Sequence, residues 1–165
     1  MTTTYEPIAT QTLGTATASV TFSSISSAFT DLIVVIEGTF TSANELPLLR
    51  LNSDTASNYS TTTLRGSGSA VASFRFSNQT SVLCGDRDTG AAGSRFMWIG
   101  QLQNYSNTTT FKTILSRFNK TGIETGANVH LYRSTSAITA LNFFTIQSST
   151  YASGTTFTLY GIKAE

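Results

Sequence analysis

The sequence predicts an all-β protein, an antiparallel sandwich of jelly-roll type. Three observations carry that prediction. Thr, Val, Ile, Phe and Tyr, whose branched or aromatic side chains pack well on a pleated surface, dominate the chain, with 30 Thr and 22 Ser among 165 residues. No segment sustains a 3.6- or 3.5-residue apolar period, which removes both an amphipathic helix and a coiled-coil stalk. Short apolar runs recur instead, set apart by clusters of Ser, Gly, Asn and Asp.

In chain order the expected strands are 7–12, 17–22, 30–40, 47–52, 58–66, 72–76, 80–85, 95–105, 110–118, 126–133, 139–147 and 155–163. Pro7 lies near the start of the first and Pro47 at the start of the fourth, where a missing ladder donor does least harm. Ser23–Ala28 has room for one helical turn before the third. Side chains two apart share a face. In 30–40, Leu32, Val34, Ile36 and Phe40 therefore oppose Ile33, Val35, Glu37 and Thr39, which makes this strand apolar on both faces over its first half and central in its sheet. In 95–105, Phe96, Trp98 and Leu102 oppose Met97 and Ile99; in 139–147, Leu141 and Phe143 oppose Phe144 and Ile146. A sandwich needs one buried face per sheet, so a second apolar face calls for a loop or another subunit over it, unless the strand crosses a sheet corner. Ile33, Val35, Met97, Ile99, Phe144 and Ile146 are accordingly the candidate subunit interface, and the expected assembly is a homo-oligomer, a trimer by first choice.

Length fits one domain spanning 1–165, and 39% hydrophobic residues supply a core. Charged residues make up 12%, about half the usual ~25%. Nineteen charges over the ~7,900 Å² expected of a compact 17.6 kDa chain leave a thinly charged exterior. Hydroxyls must wet it, or other subunits must cover it. A net charge of +1 argues against a phosphate-backbone binder, so no nucleic-acid partner is expected. The longest apolar run, Leu32–Ile36, is far short of a spanning helix, and the first residues lack a signal-peptide pattern; no membrane association is expected.

Candidate chemistry is sparse. His130 is the lone histidine and shares a strand face with Asn128 and Tyr132, opposite Val129 and Leu131; it reads as a surface or interface residue rather than a catalytic one. Asp86 and Asp88, with Gly90, have the form of an incipient calcium loop but lack the remaining acidic ligands, so a charged turn is expected and no metal. The same two carboxylates are too close in one loop to flank a sugar as a glycosidase pair. Cys84, the single cysteine, follows Val82 and Leu83 and reads as a buried inert thiol. Asn-x-Ser/Thr matches at Asn58, Asn78, Asn104, Asn107 and Asn119 follow from the abundance of hydroxyl residues. Neither a phosphate loop nor a dinucleotide fingerprint occurs. No enzyme and no cofactor are expected.

Three segments carry a resemblance: Phe22–Gly38 (FSSISSAFTDLIVVIEG), Asn104–Arg117 (NYSNTTTFKTILSR) and the ending Thr156–Lys163 (TFTLYGIK). Together they resemble the small β-sandwich virion proteins of tailed bacteriophages, those of cyanobacterial and other marine hosts in particular. The resemblance implies a structural module of the particle, assembled in the host cytoplasm: a capsid decoration or cement protein whose partners are its own copies and the major capsid protein or other virion proteins. It carries no catalytic residue over. A second reading makes the chain a tail or fibre head that binds host surface glycan, with Tyr59, Tyr105 and Tyr151 stacking on sugars, against the plainer reading that these tyrosines pack at strand ends.

Overall fold

The computed structural model describes residues 4–85, 91–147 and 149–163. All twelve expected strands are present, and among the described residues there is no helix. They are β1 (Tyr5–Thr12), β2 (Ser19–Phe22), β3 (Asp31–Gly38), β4 (Pro47–Leu51), β5 (Tyr59–Gly66), β6 (Val71–Gln79), β7 (Val82–Leu83), β8 (Phe96–Gln103), β9 (Lys112–Lys120), β10 (Glu124–Tyr132), β11 (Leu141–Thr145) and β12 (Thr156–Ile162). The Ser23–Ala28 segment is not a helical turn. Ser24 there takes a left-handed φ of 55°, and the Ile25 N–H bonds Thr139 O instead of a carbonyl in its own segment.

Two antiparallel sheets pack face to face. The larger runs β1-β12-β3-β8-β9-β10-β5-β6 and the smaller β2-β11-β4-β7. As the alternation required, β3 is interior to its sheet, between β12 and β8. Pro7 falls on edge strand β1, beside a bulge, and Pro47 on the first residue of β4. Both positions tolerate a lost ladder donor.

The core lies between the sheets. Leu32, Val34, Ile36, Trp98, Leu102 and Leu159 from the large sheet meet Leu49, Leu51, Leu141 and Phe143 from the small one, all at 1% exposure or less. Its aromatic centre is ordered by ring geometry. Phe40 stacks on Phe96 at 4.4 Å, and Tyr151 meets Phe157 edge-on at 5.0 Å. Room for Trp98 is made by Gly100, where a Cβ would stand 2.0 Å from the indole. A connection is pinned by Asn52, at φ 53°: its Oδ1 accepts from the Thr139 and Ala140 N–H groups and its Nδ2 donates to Ala137 O. Such left-handed positions favour Asn and Gly.

Candidate functional site

Strands β9, β10 and β5 turn several polar residues inward. Lys112, Ser116, Asn128, His130, Thr61 and Thr63 are all buried, while Leu115, Val129, Leu131 and Leu64 point out of the sandwich at 42, 52, 37 and 59% exposure. His130 is therefore not a surface residue. Its Nδ1 pairs with Thr61 Oγ1 at 2.9 Å and its Nε2 with Ser116 Oγ at 2.8 Å, and burial drives its pKa down to about 3. The sequence pairing of Asn128, His130 and Tyr132 on one face holds; the face turned to the core is the opposite of the one expected, because hydroxyls of neighbouring strands satisfy the ring inside. A serine hydroxyl bonded to an imidazole has the outline of a nucleophile and its base, but Ser116 is itself buried and out of reach of solvent substrate.

The apolar residues displaced outward join those of the neighbouring strands. Register aligns Val35 with Ile99, Ile99 with Arg117, and Ile33 with Gln101, Leu115 and Val129 in succession across β3, β8, β9 and β10. Four of the six candidate interface residues, Ile33, Val35, Met97 and Ile99, thus lie on one continuous outer face of the large sheet. The face holds a shallow groove of about 480 Å³ lined by Tyr5, Ile33, Ile99, Gln101, Leu115, Arg117 and Val129 among others. Leu64, Leu115, Val129 and Leu131 belong to the same surface. Their own alternation with inward polar residues signals it, but the usual rule that apolar means inward hides the signal.

Phe144 and Ile146 do not share this face. They lie on the outer side of the small sheet, where they pack with Leu46, Leu48, Leu83 and Phe76 in a satellite cluster, and the Arg50 guanidinium sits 4.4 Å over the Phe144 ring. The cover that the second apolar face of β11 demanded is supplied within the chain.

The candidate glycan-stacking tyrosines are corrected by burial. Tyr59, Tyr105 and Tyr151 are each at 0% exposure. The Tyr59 hydroxyl accepts from Leu51 N and donates within reach of Leu51 O and Asp54 O; Tyr105 donates to Ser26 O; Tyr151 donates to Phe144 O at 2.8 Å. Tyrosine offers a large apolar body with one polar tip, and here each tip reaches a backbone acceptor that lets the ring enter the core. None of the three presents a ring to a ligand.

Cys84 is buried, and desolvation pushes its thiol well above the usual range, as an inert core cysteine requires. Asp86 and Asp88 lie outside the described residues. Among the described residues no three His, Cys, Asp or Glu side chains gather as metal ligands. Buried charges are found at one end of the sandwich, where Lys120 Nζ donates to Glu45 O at 3.1 Å and Glu124 pairs with Arg65 at 3.1 Å beside a cavity of about 20 Å³. That space is about the size of one water and admits no substrate.

No protein-family model matches the chain, and no curated protein matches it significantly. Among solved structures it is similar to the alginate lyase Aly36B, in a mutant bound to alginate tetrasaccharide, at 9% identity and a TM-score of 0.35 over 94% of this chain and 81% of that one. It is similar to the galectin LEC-6 of Caenorhabditis elegans at 7% identity and 0.37 over 94% and 96%, and to galectin-Ib of Xenopus laevis at 7% and 0.38 over 86% and 99%. Likenesses this distant bear on neither substrate nor ligand, and the fold stands on the strands and registers described above.

Proposed function

We propose that this protein is a non-catalytic structural component of a tailed-phage virion, a decoration protein that binds and stabilises the capsid shell as a homo-oligomer. The observation that supports it is the outer face of the large sheet, where Leu64, Leu115, Val129 and Leu131 stand exposed while the same strands keep hydroxyls, an amide and an imidazole inside. Aliphatic side chains left in water on one contiguous face mark a surface built to be covered. Burying each contributes about 1.5–3 kcal/mol, so a handful can hold subunits together. The thin charge over the rest of the exterior, and the resemblance of the three quoted segments to phage virion proteins, point the same way. The tail-head reading loses its stacking tyrosines to the core.

The test is location. Antibody raised against the recombinant chain and carrying gold is applied to purified particles of the phage that encodes it. Label over the head supports the decoration role, label at the tail tip transfers the protein to the tail, and particles free of both label and the protein's peptides overturn the virion reading.

A further inference from the structure

Resting on the reading of the large sheet's outer face as an assembly surface, we infer that the occupant of this face is a second copy of the same chain, joined by a two-fold axis that passes over Gln101. The argument begins with charge. Among the described residues, Glu6 is paired with Lys163, Glu37 with Arg95 and Glu124 with Arg65. The side chain of Arg117, exposed in the middle of the face, has no ion pair or hydrogen bond among the described residues. Among the described residues, Asp31, at the start of β3, is the acid on this face that meets no cation; its carboxylate accepts from Gln101 Nε2 at 3.1 Å and Asn104 N at 2.8 Å. An ionised carboxylate has about four acceptor sites, so half of its capacity is open.

Register then fixes where the two charges stand. Arg117 is opposite Ile99, and Asp31, next to Leu32, which is opposite Leu102, falls level with Gln103. Each is thus one strand to the side of β8 and two residues along it from Gln101, in opposite senses. At ~4.8 Å between strands and ~3.3 Å per residue they are ~16 Å apart, too far to pair within one chain. Gln101 is their midpoint. A two-fold axis lying in the interface over Gln101, perpendicular to the line joining them, sets each Arg117 on the other copy's Asp31 and makes the contact twice. The same operation brings Ile99 of one copy towards Ile33 of the other, apolar on apolar.

Size agrees. Eight strands ~4.8 Å apart and about eight residues long present ~1,000 Å², of which an axis inclined to the strands in this way overlaps ~700 Å², close to the ~800 Å² per partner of a standard stable interface. An isologous contact of this kind closes as a dimer, in place of the trimer expected from the sequence.

The experiment is sedimentation equilibrium of the full chain at micromolar concentration, with circular dichroism confirming the fold of each variant. A dimer is expected, with a dissociation constant that rises with salt. Arg117→Asp and Asp31→Arg are each expected to weaken it about tenfold or more, and the double variant Asp31→Arg/Arg117→Asp to restore it. Leu115→Glu, which leaves both charges in place, should give a folded monomer. A monomeric wild type, a trimer, a dimer indifferent to salt, or single variants that associate normally would each overturn the two-fold pairing. Those outcomes leave the virion location standing, and unlabelled particles would leave a measured dimer standing, so the two readings fail separately.

Discussion

Inside the sandwich, Thr61 and Ser116 together satisfy both ring nitrogens of His130. A consequence follows for pH. The imidazole titrates at about 3 in the fold against 6.5 in the unfolded chain, so the unfolded state binds the proton first and stability is lost as pH falls from about 6.5 towards 3. The expected loss is about 1.4 kcal/mol per pH unit within that window. Asp54, held below the usual carboxylate range chiefly by its hydrogen bond from Asn58, adds its own loss only under about pH 4. Urea midpoints between pH 7 and 4.5 should therefore fall for the wild type and stay nearly flat for His130→Gln. Parallel curves would mean that the ring is charged in the folded protein. Alternation places His130 with Asn128 and Tyr132 but never says which face is wet, and the tyrosines pose the same question: Tyr59, Tyr105 and Tyr151 pack at strand ends because each hydroxyl finds a carbonyl, Leu51 O, Asp54 O and Phe144 O nearby in the chain and Ser26 O far along it.

At the scale of the strand, existence and position were legible because β-branched and aromatic runs between turn residues are a strong local signal, and every expected strand overlaps an observed one. The doubly apolar strands separate into two cases that sequence cannot distinguish. β11 has its second face covered at home, by the satellite cluster and Arg50. β3 and β8 do not. Phe144→Ala should thus lower the stability of the folded chain, by about 2–4 kcal/mol less whatever relaxation fills the gap, without altering its association. Val129→Asp should do the reverse, leaving the melting temperature of dilute protein nearly unchanged while abolishing association. If Phe144→Ala dissociated a stable subunit, β11 would have to belong to the interface after all. The pleat also explains Gly100, which pairs with Val34 and Ser116 in the middle of the sheet where a side chain would ordinarily pack. The indole of Trp98 occupies that place. Gly100→Ala is expected to cost about 1–3 kcal/mol through overpacking, read as a lowered denaturation midpoint, and an unshifted midpoint would show that the indole yields freely.

The whole molecule is closed by its last strand. β12 lies between β1 and β3 in the large sheet, so the first and third strands of the chain meet only through the twelfth. Phe157 and Leu159, both at 0% exposure, carry this strand into the core, and Phe157 packs against Tyr151 and Phe143. Without them β1 has no ladder partner, β3 loses one of its two, and several fully buried side chains face a gap; each large one removed costs about 2–5 kcal/mol, while a whole domain is stable by only about 5–15. A fragment ending at residue 155 is therefore expected to be largely unfolded, with no cooperative thermal transition. A synthetic peptide covering residues 154–165 should restore the strand signal in circular dichroism by filling the vacant position between β1 and β3. A fragment that melts cooperatively alone would show that the remaining seven strands of the large sheet hold without their connector. The same topology orders folding: until residue 162 has been made, the outer face that carries Arg117 and Leu115 has no finished sheet beneath it.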